Sequence, residues 1–331
     1  MTPDIAPWAT PASVVLVTGA SGFAGRHLLE RLAPSPARVV AWGRRLPASA
    51  AAGTASTWVP VEVRDRSAVR RAIAAHPPTH VFHLAGSAHA GNSWHDPTEP
   101  LATNVIGTHH VLESLAAEAP GARVVVAASA MVYAPSDAVL SEASALRTTN
   151  PYALSKLAQE ELSRVVGLDL GLDIVIARAF NHVGPGQAPT FFASSFARQL
   201  ALIERGGHDA VLAVGNLDAR RDLMDVRDTV RAYDWLMAAG HAGEAYNVCS
   251  GTAHSIGDVL RRLVALSGLD VEVRTDPAKL RPNDTPLVLG SAARLAQLTG
   301  WRPTFTLDST LGDLLDDWRR RLADESAPSP S

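Results

Sequence analysis

Cysteine is almost absent from this chain of 331 residues, in which Cys249 is the only one. A single cysteine cannot form an internal disulfide or a cysteine-rich metal site, so the sequence predicts a reducing compartment, and we expect the cytoplasm. Cys249 lies in an apolar run and is interpreted as a core residue. The amino terminus lacks the pattern of a signal peptide. No apolar run approaches the roughly 20 residues that cross a bilayer, so we expect no membrane partner.

An excess of positive charge is also missing. The formal net charge is −3 at pH 7, which argues against nucleic acid as a partner. The 12 histidines do not combine with carboxylates or cysteine in a recognised ligand spacing, so we expect no metal. The composition, with 47% hydrophobic and 19% charged residues, is that of an ordinary globular protein with a sizeable core.

The first half of the chain alternates short β-branched runs with amphipathic stretches. The runs predict strands at Ser13–Thr18, Arg38–Trp42, Trp58–Val61, His80–Leu84, Arg123–Ala128 and Leu172–Arg178. The stretches predict helices at Phe23–Leu32, Ser67–Ala75, Leu101–Ala117 and Tyr152–Val166. This alternation indicates an α/β fold with a doubly wound, parallel Rossmann sheet.

After the sixth strand the alternation stops, which predicts a smaller carboxy-terminal substrate-binding lobe. Asn181–Pro189 is rich in glycine and proline and is interpreted as a loop. Asp225–Ala239 and Ala245–Val248 indicate a return to the sheet, and Ser255–Gly268 and Leu307–Leu322 indicate helices of the lobe. The expected boundaries are a disordered tail at 1–12, a dinucleotide-binding domain at 13–180 plus 225–250, the lobe at 181–224 plus 251–322, and a second tail at 323–331.

The segment from Val14 to Gly25 has the pattern of a strand, a glycine turn and a helix. Gly19 permits the tight turn, Gly22 lets backbone N–H groups approach a pyrophosphate, and Gly25 lets the helix pack close to the sheet. The helix N-terminus then attracts the anion. The sequence therefore predicts a dinucleotide site, although a purely structural turn would have the same pattern.

The end of the second predicted strand indicates which dinucleotide is bound. Sites that prefer NAD place a carboxylate there for the ribose 2′-hydroxyl, whereas this strand is followed by Arg44 and Arg45. Because a guanidinium pairs with a 2′-phosphate, we expect NADP(H) as the cofactor. A solvated basic turn is the alternative interpretation.

Tyr152 and Lys156 are spaced to lie on one face of a helix. A neighbouring ammonium lowers the pKa of a phenol, so we expect Lys156 to prepare Tyr152 for proton exchange with an alcohol or ketone. Ser129, at the end of the fifth predicted strand, is the candidate hydroxyl that holds the carbonyl oxygen. These three residues are the predicted catalytic group.

In this order, these features resemble the extended short-chain dehydrogenase/reductase family of nucleotide-sugar enzymes over about residues 13–322. The segments that begin at His83 and Thr103 resemble the family's loop after the fourth strand and its central helix. Those at 178–187, 215–228, 246–251, 280–284 and 300–303 are similar to GDP-4-dehydro-6-deoxy-D-mannose reductases. The resemblance implies a cofactor site formed by Gly19, Gly22, Phe23, Ala24, Gly25, Arg44, Arg45, Glu62, Val63, Leu84, Ala85, Gly86, Asn104, Tyr152 and Lys156. It implies a substrate site formed by Ser87, Ser129, Asn181, His182, Arg198, Arg221 and Arg281, in which the Asn181, Arg221 and Arg281 positions contact a diphosphate.

The resemblance leaves three functions open. The first is an NADPH-dependent reductase of the C4 ketone of a nucleotide-diphospho-4-keto-6-deoxy sugar, with GDP-4-dehydro-6-deoxy-D-mannose giving GDP-D-rhamnose as the main expectation. The second is a C4 epimerase that retains NAD, and the third is a cofactor-sensing protein without catalysis. Ala130 and Met131 follow Ser129 where dehydratases of the family have acidic residues, which argues against a dehydratase. The resemblance also implies a homodimer formed through Leu101–Ala117 and Tyr152–Val166.

Overall fold

The computed structural model describes residues 8–45, 56–87, 92–206, 209–280 and 285–325. Its strands are β1 (Val14–Thr18), β2 (Arg38–Gly43), β3 (Ser56–Pro60), β4 (His80–His83), β5 (Arg123–Ser129), β6 (Asp173–Ala179), β7 (Asn181–Val183), β8 (Val211–Val214), β9 (Arg220–Asp225), β10 (Ala245–Val248), β11 (Ala253–Ser255), β12 (Glu272–Thr275) and β13 (Leu287–Val288). Its α-helices are α1 (Phe23–Leu32), α2 (Arg66–Ala75), α3 (Thr98–Leu101), α4 (Gly107–Glu118), α5 (Pro151–Leu170), α6 (Phe192–Glu204), α7 (Val226–Ala239), α8 (Ile256–Ser267), α9 (Ala293–Thr299) and α10 (Leu307–Glu325).

Seven strands form a central parallel sheet in the order β10-β6-β5-β4-β1-β2-β3. Its central strands are buried on both faces, because α1 and α7 cover one face while α2, α4 and α5 cover the other, whereas the edge strand β3 is only partly buried. The order reverses between β1 and β4, so the crevice for a ligand opens at the carboxyl ends of these strands. The predicted fold class, a doubly wound Rossmann sheet, is confirmed.

The longest central helix, α5, begins at a side-chain cap. Asn150 Oδ1 accepts the backbone N–H of Ala153 at 2.8 Å, and Pro151 occupies the first turn, where its missing N–H costs no hydrogen bond. Gly171 ends the helix in the left-handed conformation, with φ of 68°. These signals determine the two ends of α5, the helix that carries Tyr152 and Lys156.

The helix predicted at Leu101–Ala117 is interrupted. Residues Ala102–Ile106 form a π-helical turn between α3 and α4. A π turn inserts an extra residue and re-aims the side chains around it, and such turns are frequent at functional sites. It carries Asn104, which is fully buried beside α5.

Most of the remaining elements form a second group, whereas α9 packs against α7 and β10 in the core of the central sheet. β11, β9 and β13 form a small sheet, β7 pairs with β9, and α6, α8 and α10 enclose an apolar core of their own. The expectation that Asn181–Pro189 is entirely loop was wrong at its start. Asn181–Val183 pairs in parallel with Leu223–Asp225, because β9 offers it a backbone partner.

Each of the two predicted tails includes residues that belong to ordered contacts or to a helix in the structure. Trp8, expected in a loose segment, packs beside the rings of His80 and Phe82 and donates its indole N–H to Asp234 at 2.8 Å. At the other end, α10 continues to Glu325 and includes the first three residues of the expected tail. Residues 1–7 and 326–331 lie outside the described part of the chain.

Candidate active site

The glycine turn between β1 and α1 brings backbone close to backbone. Gly19 has φ of 66°, and a Cβ built there would lie 2.7 Å from the Ala85 nitrogen. A Cβ on Gly22 would lie 3.0 Å from the Gly19 oxygen, and one on Gly25 would lie 2.8 Å from the Ala20 Cα. Only glycine fits these close approaches, and α1 begins directly after Gly22 with its N-terminal N–H groups exposed to the crevice.

A cavity of about 520 Å³ opens next to this turn, at the carboxyl ends of β1, β2 and β4. Of the residues predicted to bind cofactor or substrate, it is lined by Gly19, Gly22, Arg44, Glu62, Val63, Leu84, Ala85, Gly86 and Ser87. The cradle of glycines, the helix N-terminus and the position at the sheet's reversal all fit the pyrophosphate of a dinucleotide. The residues present therefore suit the group that the sequence predicts.

Arg44 and Arg45 differ in position although they are adjacent. Both are exposed, but only Arg44 belongs to the lining of the cavity. Across the cavity, a hydrogen bond from Arg64 lowers the pKa of Glu62, and Arg44 contributes to the same shift. Glu62 is therefore an anion that is paired with Arg64 and stabilised more weakly by the charge of Arg44.

The predicted catalytic residues lie close together at the end of β5. Ser129 is the last residue of the strand, its Oγ accepts the Met131 N–H at 3.2 Å, and its side chain hydrogen-bonds the Tyr152 hydroxyl. One turn further along α5, Lys156 Nζ donates to the Ala127 oxygen at 2.8 Å. A Cβ on Gly86, which lines the cavity, would lie 3.5 Å from this Nζ. Lys156 thus lies close to the cavity wall, although Ser129, Tyr152 and Lys156 are not themselves among its lining residues.

The expected effect of Lys156 on Tyr152 is not found. Burial raises the pKa of Tyr152 above its usual value, and the hydrogen bond with Ser129 opposes this only in part. Burial also lowers the pKa of Lys156 to about 8. Burial and Ser129 determine the pKa of Tyr152 without a contribution from Lys156, whose ammonium is turned toward Ala127 and Gln159.

Asn104 supports both sides of the site. Its Oδ1 accepts the Ser87 N–H at 2.8 Å, and its Nδ2 donates to Ser155 Oγ at 2.8 Å. Ser155 in turn donates to the Tyr152 carbonyl at 2.7 Å. Asn104, predicted to bind the cofactor, therefore fixes the loop after β4 to the catalytic helix.

Phe23 and Ala24, two further predicted cofactor residues, do not line the cavity. Phe23 stacks on the imidazole of His182 with ring centroids 5.7 Å apart, and Ala24 packs against the core. His182 Nδ1 lies 3.1 Å from the Phe180 oxygen, and burial lowers its pKa. The ring pair joins the start of α1 to β7.

The other predicted substrate residues are spread along the second group of elements. Asn181 is exposed at the start of β7. The Arg198 guanidinium lies 5.8 Å from the Trp318 ring, and Arg221 donates to the Thr285 oxygen at 2.7 Å. Arg281 lies outside the described residues. The described contacts do not bring these arginines together.

The cavity wall also contains residues that were not predicted from the sequence. They are Ser21, Trp42, Gly43, Val61, Ser93, Asp96, Glu99, Pro100 and Thr103. Ser21 and Gly43 adjoin predicted positions, so proximity in sequence could have indicated them. Asp96 and Glu99 follow the β4 loop in a segment without a recognisable pattern. Within the described ranges, no group of three histidine, cysteine or acidic side chains could hold a metal ion.

A family model identifies the protein family to which this chain belongs. Residues 15–249 match the model of the NAD dependent epimerase/dehydratase family. The chain belongs to this family. The predicted resemblance to extended short-chain dehydrogenases/reductases is thereby confirmed.

No helix in the described ranges is long and apolar enough to span a bilayer.

One known enzyme and two solved structures are among the proteins similar to this chain. The GDP-6-deoxy-D-mannose reductase of Pseudomonas aeruginosa is 34% identical over 316 residues, which are 94% of this chain and 99% of that protein. The structure of RMD from Pseudomonas aeruginosa complexed with NADPH superimposes with a TM-score of 0.82 at 33% identity, covering 93% of this chain and 98% of that one. A Thermus thermophilus UDP-glucose 4-epimerase in complex with NAD has a TM-score of 0.81 at 28% identity, covering 92% and 99%.

Proposed function

We propose that this family member is an NADPH-dependent oxidoreductase that reduces the C4 ketone of a nucleotide-diphospho-4-keto-6-deoxy sugar. The substrate we favour is GDP-4-dehydro-6-deoxy-D-mannose, with GDP-D-rhamnose as the product. The observation that carries the proposal is the group of Ser129, Tyr152 and Lys156 at the end of β5, in which Lys156 Nζ lies close to Gly86 of the cavity wall. The 34% identity to a GDP-6-deoxy-D-mannose reductase supports the choice of sugar nucleotide.

NADP(H) is the proposed cofactor because of the charge at the end of β2. Arg44 lines the cavity where the adenosine ribose would lie, and a guanidinium there suits a 2′-phosphate. Glu62 does not oppose this, because its carboxylate is paired with Arg64. The similarity to a structure complexed with NADPH supports the same choice.

The bound cofactor would supply a hydride to C4 of the sugar. Ser129 is proposed to donate its hydroxyl proton in a hydrogen bond to the ketone oxygen while its Oγ continues to accept the Met131 N–H. As the carbonyl π bond breaks, the oxygen becomes an alkoxide, and the Tyr152 hydroxyl gives it the proton that completes the alcohol. The high pKa of Tyr152 keeps this phenol protonated, as a reductase requires.

Lys156 has two proposed roles in this step. Its ammonium offsets the phenolate that Tyr152 becomes, and it is near enough to the cavity to hold the nicotinamide ribose. The Asn181 side chain and the Arg198, Arg221 and Arg281 guanidinium groups are proposed to bind the diphosphate sugar, with Ser87 and His182 near its reacting end. Residues 13–180 plus 225–250 would then bind cofactor, and 181–224 plus 251–322 would bind substrate.

A C4 epimerase is the second candidate, supported by the similarity to a UDP-glucose 4-epimerase with NAD. It would use the same three residues but retain its cofactor. The arginine at the NAD-discriminating position weighs against it. A non-catalytic cofactor sensor is a weaker candidate, because such a role needs neither Tyr152 nor Lys156.

A homodimer in the cytoplasm completes the proposal. The exposed apolar side chains of Leu154, Val165 and Leu168 on α5, together with Ile106 on the π turn that packs against α5, would be covered by a second copy.

The test is NADPH oxidation with freshly prepared GDP-4-dehydro-6-deoxy-D-mannose. The dTDP counterpart and NADH serve as controls for base and cofactor. Oxidation of NADPH with the GDP sugar alone is the expected result. An enzyme that copurifies with NAD and interconverts C4 epimers without consuming NADPH would support the epimerase instead.

A further inference from the structure

The ammonium of Lys156 is held by two protein oxygens. Nζ donates to the Ala127 carbonyl at 2.8 Å and to Gln159 Oε1 at 2.9 Å. Lys156 and Gln159 are both buried, and neither bond involves Tyr152. Since an ammonium has three N–H donors, these two bonds leave one for the side on which the cavity lies. Gln159 therefore helps to decide where the lysine points.

The amide of Gln159 has a single orientation that satisfies its neighbours. Lys156 only donates, so the atom facing it must be the oxygen. The amide nitrogen then donates to Thr108 Oγ1 at 2.8 Å. Thr108 gives its only hydroxyl proton to the Asn104 carbonyl at 2.6 Å, so it can accept from Gln159.

The hydrogen bonds of Thr108 also determine which ring nitrogen of His83 carries the proton. Thr108 has no second proton to give, so His83 Nε2, 2.8 Å away, must be the donor. His83 Nδ1 then accepts from the Thr18 hydroxyl at 2.9 Å, and Thr18 accepts the Ala85 N–H at 3.0 Å. Burial lowers the pKa of His83 to about 3, so the ring is neutral. The chain of bonds runs from Lys156 to the cavity lining at Ala85.

We propose that Gln159 is a positioning residue that holds Lys156 in its ammonium form and fixes it to the cofactor loop through Thr108, His83 and Thr18. A carbonyl oxygen on an ammonium favours the charged form, which burial opposes. Among the described residues, the titratable groups near Lys156 include the neutral His83 on β4, whose pKa the ammonium also lowers, and Tyr152 one turn earlier on α5. With no charge on His83, the Gln159 oxygen is a principal support of the cation.

The protonation of Lys156 can be followed by NMR with lysine labelled with ¹³C at Cε, because the chain has only two lysines, Lys156 and Lys279. The Lys279→Arg variant assigns the two signals. Gln159→Met should lower the pKa of Lys156 by about one unit, a tenfold shift toward the neutral amine, because one hydrogen bond to a charged group is lost. Gln159→Glu, which keeps the shape and adds an anion, should raise that pKa.

The matched control is Gln199→Met on α6, where the amide bonds the backbone of Ala213. It should leave the Lys156 titration unchanged. The inference is overturned if folded Gln159→Met and Gln159→Glu proteins both titrate with the wild type. Should the Met variant fail to fold, the Glu variant still decides, because a pKa of Lys156 that does not rise would contradict the proposal.

The kinetic readout rests on the proposed function. With the ketosugar and NADPH, the upper pH limit of kcat should move down in Gln159→Met and up in Gln159→Glu, while a merely structural role would leave it in place. A wild type that oxidises no NADPH would refute the proposed reaction. The NMR titration, which needs no substrate, would still test Gln159.

Discussion

Glu160 should be one of the costliest carboxylates to neutralise in this chain. It is fully buried on α5 and accepts hydrogen bonds from Arg178 Nε at 3.0 Å, from Arg178 Nη2, and from Arg164 at 2.6 Å. Arg178 is only 3% exposed, so the Glu160→Gln variant leaves its guanidinium buried without a counter-ion. Breaking such a pair costs about 3 to 5 kcal/mol of unfolding free energy.

Glu161 provides a matched control in the next position of the helix. It also pairs with Arg164, at 2.6 Å, but its side chain is 56% exposed. An exposed pair contributes at most about 1 kcal/mol, so Glu161→Gln should be nearly neutral. Urea unfolding followed by tryptophan fluorescence measures both variants. Equal midpoints for the two would refute the reasoning that burial makes the Glu160 pair important.

Three further predictions concern the site. Tyr152→Phe should bind NADPH normally by fluorescence titration yet lose at least about a hundredfold in kcat, because the proton donor is removed; an active variant would contradict its role. Arg44→Ala should weaken NADPH binding by about ten- to a hundredfold without affecting NADH, whereas Arg45→Ala, outside the cavity lining, should change neither; equal effects would refute the assignment. The reductase rate should be retained below pH 8 and fall as pH rises through about 8, where Lys156 loses its proton; a rate still rising there would show that the ammonium is not required.

The sequence predicted the fold well where local chemistry decides it. The glycine turn and the alternation of β-branched and amphipathic segments are local signals, and α1 was predicted with its observed bounds. The pairing of β7 with β9 and the docking of Trp8 are long-range contacts, which no local pattern specifies. The π turn around Asn104 has the same apolar spacing as a helix and was missed for that reason.

The site was predicted in part for related reasons. Residue identity and spacing indicated Ser129, Tyr152 and Lys156, because their chemistry is distinctive. The direction of the Tyr152 pKa shift depends on burial, which spacing does not give. Gln159 and Thr108 were missed because each is an ordinary polar residue until the fold buries both beside Lys156.

The central claim is net reduction at C4, and the transfer of an isotope tests it most directly. The enzyme would be incubated with GDP-4-dehydro-6-deoxy-D-mannose and NADPH carrying deuterium at the transferable position of nicotinamide C4, and the sugar would be analysed by NMR. The account predicts one deuterium at C4 of the sugar for each NADPH oxidised. A ketosugar that remains unreduced, or a C4 alcohol that forms without deuterium at C4, would contradict it.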